Sequence, residues 1–359
     1  MTSARATRSS EYVIESFVHE QAATRVVFGI DKVAELAHEL DRLDAKRALV
    51  IASRSGRDAA GSALEGLGER LAHLVVGVSQ HVPLQDVEST REVADRVDAD
   101  CLIAIGGGSS IGLAKGVALD RPDPIVAVPT TYSGSEMTPF YGVTSQGRKR
   151  TGRAATVQPR VVVYDPALTT TLPRSVTAST GMNAVAHCVE ALYAPDATPI
   201  SSLMAEEGLR SLASGLPAST DQPNDLGARA TALYGAFLAG SALAATTMGL
   251  HHRICHVLGG TFGLPHGDAN AVMLPHVARF NATAAPGALA RVGTALSHED
   301  AAVAIEDLRG RLEAPSSLKQ LGMDEADLEE AARLSVDPLP ANPRPVGRDD
   351  VLAMLREAM

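Results

Sequence analysis

Short apolar runs alternate with amphipathic stretches through the first half of the chain. Six runs have the length and composition of buried strands: RVVFG, RALVIAS, LVVGVS, CLIAIGGG, IVAVPTT and VVVYDP. Between them, apolar residues recur with helical spacing and predict helices over 30–43, 62–74, 86–98 and 110–119. Strands that alternate with helices in this way predict a parallel, doubly wound sheet of the Rossmann-like kind.

The pattern changes after Asp165, where strand-like runs nearly vanish and Ala- and Leu-rich helical segments continue to the C-terminus. We therefore expect two domains. The first, over 1–165, is an α/β nucleotide-binding domain with a loose polar tail at 1–12, and the second, over 166–359, is all-α. A cleft between two such domains is the expected place for a ligand.

Composition narrows the class of partner. A net charge of −10 argues against nucleic acid or an anionic membrane and leaves a small molecule. Cys101, Cys188 and Cys255 lack the spacing of a disulfide framework, so free thiols and a cytoplasmic location are expected. The polar start lacks the apolar core of a signal peptide. The longest charge-free run, over 235–250, is too short for a membrane span.

A strand, three glycines and a helix follow one another in CLIAIGGGSSIGLAKG. Gly106, Gly107 and Gly108 allow a ligand to approach the backbone closely, and Ser109 and Ser110 are expected to cap the following helix. The N–H groups and dipole at a helix start favour phosphate. The spacing matches neither GxGxxG nor a P-loop. The alternative is a tight turn that binds no ligand.

A second polar loop, VPTTYSGSEMT, follows the next strand and offers the hydroxyls of Thr130, Thr131 and Ser133. Both loops lie at carboxyl ends of strands, where open α/β sheets bind ligands, and together they favour a dinucleotide. Ser53 and Arg54 stand at the end of the second strand, where an acid often binds the ribose. Without that acid, NADPH should be accepted as well as NADH, unless Arg54 is merely solvated.

Histidines concentrate in the second half at helical spacing. Asn183 and His187 lie four residues apart, as do His252 and His256, and His266 follows through the turn LGGTFGLPHG. A lone histidine is most often structural, but this set predicts a functional cluster. The spacing fits either a metal site or an acid–base cluster.

At these residues a family resemblance emerges. GGGSSxGxAK, VPTTYSGSE, GMNAVAH and HHxxCHVLGGTFGLPHG resemble the iron-containing (group III) alcohol dehydrogenase superfamily, whose architecture is dehydroquinate synthase-like. The resemblance implies that Asn183, His187, His252 and His266 occupy the positions of an Asp and three His that hold iron or zinc in metal-dependent members. It also places His256 near the nicotinamide, and it suggests a homodimer.

Two departures point to one subgroup. Asn183 stands where the family has Asp, and Gly112 replaces an Asp of the metal-dependent branch. A neutral amide is a weaker metal ligand than a carboxylate, so a tightly bound metal is not expected. Both features resemble the maleylacetate reductases. That resemblance implies reduction of 2-maleylacetate to 3-oxoadipate with NADH or NADPH, in aromatic-compound catabolism, with Asn183 as a candidate for binding the substrate.

The chemistry of that reaction suits imidazole side chains. Hydride addition β to a ketone generates an enolate, which needs hydrogen-bond donors and then a proton. We expect His187, His252 and His266 to act as donors to the enolate and carboxylates. His256 is the first candidate for proton transfer.

The two carboxylates of such a substrate favour Arg or Lys partners. The candidates are Lys149, Arg150 and Arg153 in GRKRTGR, Arg253 beside the histidines, and Arg344 in NPRPV. Lys149 could instead contact the cofactor ribose. GRKRTGR could equally be an exposed hairpin turn with solvated charges.

Two other functions remain open from the sequence. One is a metal-dependent alcohol dehydrogenase or aldehyde reductase, against which Asn183 argues. The other is a non-catalytic relative that binds a nucleotide or metabolite, against which the complete histidine set argues.

Overall fold

A computed structural model describes residues 16–79, 81–145 and 148–359, and for Arg148 and Lys149 it describes the backbone alone. The expected tail at 1–12 lies outside the described residues.

The first half is built on a parallel sheet, as the sequence predicts. In the described residues the strands are β1 Arg25–Phe28, β2 Ala48–Ala52, β3 Leu71–Val76, β4 Cys101–Gly106, β5 Ile125–Pro129, β6 Phe140–Ser145, β7 Arg148–Arg153 and β8 Val161–Tyr164. Six of them pair in the order β1-β8-β5-β4-β2-β3, each pair parallel. β6 and β7 form a separate antiparallel hairpin. The carboxyl ends of β2, β4 and β5 therefore meet at one edge of the sheet.

Helices surround this sheet and make up the second half. Those of the first half are α1 Leu36–Arg42, α2 Arg54–Ala59, α3 Gly61–Glu65, α4 Leu84–Arg96 and α5 Gly108–Ala118. Those that follow β8 are α6 Arg174–Tyr193, α7 Pro199–Asp221, α8 Leu226–Ala244, α9 Leu250–Phe262, α10 His266–Asn281, α11 Pro286–Ala295, α12 Ala301–Arg311, α13 Leu328–Ser335 and α14 Arg348–Glu357. Across the ranges that the structure describes, no helix combines the length and apolarity that a membrane crossing requires.

Close backbone packing fixes the helices of the second half. A Cβ atom at Gly215 of α7 would lie 2.4 Å from the backbone nitrogen of Ala232 in α8, so only glycine allows this approach. α6 packs against both helices and is buried along most of its length. Side chains on α6 are therefore held in a rigid setting.

The expected helix over 62–74 is wrong in its second part. α3 ends at Glu65, and β3 already begins at Leu71, three residues earlier than the run LVVGVS indicates. Gly68 takes a positive φ of 53° after α3 has ended, and a single 3-10 turn over Gly68–Arg70 leads into β3. Leu71 then pairs with Ala48 of β2. Sheet pairing thus overrides the local helical periodicity.

Candidate active site

The glycine loop joins β4 to α5 and leaves room for a ligand. Gly106 has a φ of 148°, and a Cβ atom there would come within 2.5 Å of the Ser110 hydroxyl oxygen. The helix begins at Gly108 with Gly107 at its N-cap, and no side chain caps it. The expected capping by Ser109 and Ser110 is therefore wrong, because both lie inside the first turn. Uncapped N–H groups at this helix start favour an anion such as phosphate.

The second polar loop packs directly on the glycine loop. Cβ atoms built on Gly107 and Gly108 would lie 3.0 Å from Cγ2 of Thr131 and 3.6 Å from Cβ of Ser133, respectively. The backbone N–H of Thr130 donates to the carbonyl oxygen of Gly106 at 3.0 Å. The hydroxyl oxygen of Thr131 is buried and has no hydrogen-bond partner among the described residues. The two loops thus form one surface of backbone N–H groups and hydroxyls.

The end of β2 borders the same surface. The Ser53 hydroxyl caps α2 by accepting from the N–H of Gly56 at 3.0 Å, and the Ser53 N–H donates to the carbonyl of Ile105. Arg54 lies beside the turn after β3, where its Nε would be 3.8 Å from a Cβ at Gly77. The backbone of Lys149 pairs with Thr144 in the hairpin, and its side chain lies outside the described residues.

Four imidazole rings, those of His187, His252, His256 and His266, form one group that we call the imidazole cluster. Two of them, His187 and His252, are buried, whereas His266 is half-buried and His256 is exposed. The rings of His187 and His252 stack with centroids 4.9 Å apart, and those of His256 and His266 stack at 5.5 Å. His252 lies 6.2 Å from His256 and 6.5 Å from His266 between centroids. Residues from α6, α9 and the start of α10 thus converge at one point.

Asn183 joins this cluster to the second polar loop. It lies one turn before His187 on α6, and its amide Nδ2 donates to the carbonyl of Ser133 at 3.3 Å. A Cβ atom at Gly134 would lie 3.3 Å from Nδ1 of His187. The nucleotide-type loops and the imidazole cluster therefore face the same space, between the sheet and the helices.

The structure adds Glu190, which sequence reasoning missed. Its carboxylate is fully buried and accepts from Nδ1 of His252 at 2.6 Å and from the backbone N–H of His251 at 2.9 Å. Burial acts to raise the pKa of Glu190, but the hydrogen bond and charge of His252 outweigh it, so the pKa falls below its usual range. The spacing of Asn183, His187 and Glu190, at i, i+4 and i+7 on one helix face, is a signal that could have found it.

Three buried polar atoms of the site have no hydrogen-bond partner among the described residues: Asn183 Oδ1, His187 Nδ1 and His252 Nε2. A buried polar group without a partner costs about 1–3 kcal/mol, so these atoms are suited to a bound ligand. Burial first, and then the charge of neighbouring rings, lowers the pKa of His187 well below its usual range. His187 is therefore neutral at neutral pH.

A divalent metal ion would meet a weak donor set here. The atoms suited to it, on Asn183, His187, His252 and His266, are an amide oxygen and three imidazole nitrogens, all neutral. Glu190, His251 and His252 also place three ligand atoms within 4.8 Å of one another. Those of Glu190 and His252 already share a short hydrogen bond, which orients the ring.

Two of the four arginine candidates for substrate carboxylates, Arg253 and Arg344, are engaged by backbone carbonyls. Arg253 donates from Nη2 to the carbonyl of Leu334 at 2.7 Å. Arg344 donates to the carbonyl of Phe280 at 3.3 Å, and its guanidinium carbon lies 4.1 Å from the centre of the Phe280 ring. These contacts give both side chains a structural role at helix ends.

The other two arginine candidates, Arg150 and Arg153, lie on the hairpin of β6 and β7. The guanidinium carbon of Arg153 lies 5.7 Å from the centre of the Phe140 ring, and the backbone of Arg150 pairs with Val143.

Burial raises the pKa of the Cys255 thiol well above its usual range, so it packs as a small apolar residue.

Family models match both halves of the chain. The model described as Iron-containing alcohol dehydrogenase matches residues 23–166. The model described as Fe-containing alcohol dehydrogenase family, C-terminal, matches residues 177–359.

Curated relatives and solved structures cover almost the full length. A maleylacetate reductase of Pseudomonas knackmussii is 45% identical, over 96% of this chain and 97% of the relative. Maleylacetate reductase 2 of Cupriavidus pinatubonensis is 46% identical, with the same coverage. The crystal structure of maleylacetate reductase from Agrobacterium tumefaciens superposes with a TM-score of 0.92 and 40% identity, covering 96% of this chain and 98% of that one.

Proposed function

The chain belongs to the iron-containing alcohol dehydrogenase family, and we propose that it catalyses the maleylacetate reductase reaction. In this reaction 2-maleylacetate is reduced to 3-oxoadipate. The observation that carries the proposal is the imidazole cluster beside two nucleotide-type loops, with the neutral Asn183 among its donors. Relatives named for this reaction match 96% of the chain.

The loops fit a nicotinamide dinucleotide, which supplies the hydride when bound. The uncapped start of α5 and the space at Gly106 suit its phosphates, and Thr131 and Ser133 offer hydroxyls beside them. Ser53 and Arg54 place no carboxylate at the end of β2. An acid there would repel a 2′-phosphate, so we propose that both NADH and NADPH are accepted.

The proposed chemistry is addition of one hydride and one proton across a conjugated double bond. The carbon β to the ketone receives the hydride, and the electron pair of the double bond moves towards the ketone oxygen to give an enolate. The α carbon then takes a proton, which restores the ketone. The site must therefore stabilise an enolate and deliver one proton.

The imidazole cluster can meet both demands. Glu190 holds Nδ1 of His252, which leaves Nε2 as the nitrogen available to the substrate. His187 is neutral and donates a hydrogen bond without bringing a charge. We assign His187, His252 and His266 to the enolate and carboxylate oxygens and His256 to proton transfer.

The family name implies a metal ion, but the donors of this chain fit a tightly held one poorly. Four neutral ligands leave its charge uncompensated, and the carboxylate of Glu190 is committed to His252 and His251. A conjugate reduction also needs less Lewis-acid assistance than an alcohol–carbonyl exchange. We propose that the reaction needs no tightly bound metal.

We further infer a homodimer in the cytoplasm. Among the described residues β1 is an edge strand of the sheet, and Val18, seven residues before it, is 87% exposed. The three cysteines are unpaired, as suits a reducing compartment. Light scattering coupled to gel filtration would test the dimer.

The decisive experiment is disappearance of NADH with freshly prepared maleylacetate, using enzyme treated exhaustively with chelator. Fast turnover supports both the reaction and its independence from metal. Turnover that returns only after iron or zinc is added overturns the metal-free mechanism. No turnover in either condition overturns the proposed reaction, and oxidation of small alcohols by the metal-loaded protein would then identify an alcohol dehydrogenase.

A further inference from the structure

We propose that Lys115 is a positioning residue for the reaction, because its ammonium group holds the loop that connects the nucleotide surface to the imidazole cluster. The loop, over 130–139, joins β5 to β6. This inference rests on the proposed function for its kinetic consequences, but its structural basis is independent of the substrate.

Lys115 lies on α5, two turns beyond the glycine loop, and its side chain is fully buried. Its Nζ donates to the carbonyl oxygens of Ser135 at 2.6 Å, Thr138 at 2.7 Å and Phe140 at 2.9 Å. The hydroxyl oxygen of Thr138 lies within reach at 3.2 Å. An ammonium group has three N–H bonds, so these carbonyls engage all of them.

Burying a charge in this way is an expensive means of stabilising a fold. An isolated buried ammonium loses its hydration, and an apolar residue of similar size often stabilises a core as well or better. Burial indeed lowers the pKa of Lys115 to about 7, with Glu136 opposing the shift. What the ammonium provides, and an apolar side chain could not, is a fixed position for two carbonyls of the loop and for the first carbonyl of β6.

A second buried charge fixes the same loop from the other side. Glu136 is fully buried, and its carboxylate accepts from the hydroxyl of Tyr164 in β8 at 2.9 Å and from the hydroxyl of Ser133 at 3.4 Å. Lys115 and Glu136 therefore tie the loop to α5 and to β8. The two opposite charges also attract one another.

The loop held in this way touches both parts of the site. Thr131 packs on Gly107 at the start of α5. Two residues further, the carbonyl of Ser133 accepts from the amide of Asn183, and Gly134, with a φ of 78°, approaches His187. A shift of this loop would displace the hydroxyls that face the nucleotide and the residues that face the substrate together.

The test is Lys115→Met, which keeps the length of the side chain and removes its donors. We expect the Kd for NADH, measured by fluorescence titration, to rise about tenfold or more, because the loop loses its register with the glycine loop. The KM for NADH should rise likewise, and kcat with maleylacetate should fall. Hydrogen exchange of the amides over 130–140 should become faster.

Glu39→Gln is the matched control. Glu39 is also fully buried and charged, but it pairs with Arg25 at the start of β1, at the opposite end of the sheet from the loops. This variant should lower Tm while leaving the Kd for NADH unchanged. If Lys115→Met does not fold, Lys115→Gln, which keeps two N–H donors without charge, is titrated in its place.

A folded Lys115 variant with a lower Tm, but with Kd and KM for NADH within about twofold of wild type, would overturn the proposal in favour of a purely structural role. The NADH titration needs no substrate. A wild-type protein that binds NADH but does not reduce maleylacetate would refute the proposed reaction, and the inference about Lys115 would still be decided by Kd.

Discussion

At the scale of single residues, Glu190 determines what His252 can do. A neutral imidazole has one donor and one acceptor nitrogen, and a carboxylate at 2.6 Å from Nδ1 fixes the proton there. Nε2 then faces the ligand space in a defined state. The same relation orients imidazoles in metal sites and in catalytic triads. In a neutral ring Nε2 can then only accept, and it donates to a substrate oxygen when the ring is an imidazolium, whose charge the carboxylate of Glu190 balances.

Replacing Glu190 by Gln should lower kcat with maleylacetate about 10- to 100-fold, because a neutral amide cannot balance the charge of a His252 imidazolium that donates from Nε2 to a substrate oxygen. The KM for NADH should change little, since the nucleotide loops are untouched. Steady-state kinetics would measure both values. Glu206→Gln, which removes a partner of Arg210 and Arg291 on the surface, is the control and should leave kcat unchanged. A Glu190→Gln enzyme within twofold of wild type would contradict this role.

Asn183→Asp should restore a charged ligand to the site. We expect the variant to bind Zn²⁺ at least about tenfold more tightly than wild type, because a carboxylate compensates the charge of the ion. Isothermal titration calorimetry on chelator-treated protein would measure this affinity. Asn183→Ala, which removes the oxygen without adding charge, should show no gain. Equal zinc affinity in all three proteins would mean that residue 183 does not face the metal position.

At the scale of elements, the unit of β4 and α5 combines a glycine turn after a buried strand with a helix start that has no side-chain cap. Other helices, such as α4, α6 and α9, also lack such a cap. Side chains cap the starts of α2, α7, α8 and α12, through Ser53, Thr198, Asp225 and Asp300. α5 has Gly107 at this position and no side-chain cap. Its first-turn N–H groups remain available to a phosphate, which makes the helix start a binding element.

Gly106→Ala should raise the KM for NADH about tenfold or more without abolishing folding. The new Cβ atom would come within 2.5 Å of the Ser110 hydroxyl oxygen. The alanine would also have to adopt a backbone φ of 148°, which only glycine takes readily. Gly310→Ala in α12 is the matched control, because a Cβ atom there meets nothing within 4 Å. The control should keep its KM and gain about 0.5–1 kcal/mol of stability in urea unfolding. An unchanged KM in Gly106→Ala would argue against a phosphate at this loop.

At the scale of the whole molecule, His187 and His251 are buried in the core as uncharged rings. Burial, followed by the charge of His252, lowers the pKa of His251 to about 4 from an ordinary 6.5. The pKa of His187 is also well below its usual range. At a pH between the folded and the unfolded pKa of such a histidine, the unfolded chain binds a proton that the folded protein does not accept. Acid therefore favours unfolding through the residues that form the site.

The free energy of unfolding should be insensitive to these histidines above pH 6.5 and should fall as the pH drops from 6.5 towards about 4. His251 alone would contribute a loss of up to about 3 kcal/mol by the lower end of this window. Urea denaturation at pH 7, 6 and 5 would measure the slope.

His251→Gln isolates this contribution, since a glutamine does not titrate. Its stability should fall less steeply with acid than that of wild type, although raised carboxyl pKa values such as that of Glu136 act in the opposite sense in both proteins. Parallel slopes in the two proteins would contradict the assignment to His251.

The sequence by itself determined the parallel α/β half, the helical half, the glycine loop and the grouping of the histidines. These features follow from local patterns. Apolar residues that recur every two residues indicate a strand, and those that recur every 3.6 residues indicate a helix. Histidines four residues apart on a helix share one face of it. Motif spacing also carried the family resemblance and, with it, the proposed substrate. Local pattern failed over 62–74, where pairing with β2 turned a helical periodicity into the start of β3.

Only the tertiary structure decided which charged groups serve the site. Glu190 contacts His252 across 62 residues of chain. Lys115 contacts carbonyls of the loop that follows β5, 23 residues further along the chain at Thr138. Arg253, next to the cluster in sequence, instead binds a carbonyl 81 residues away. A hydrogen bond depends on the position and direction of two groups in space. Between residues so far apart, packing sets both, and no local pattern of residue types records it.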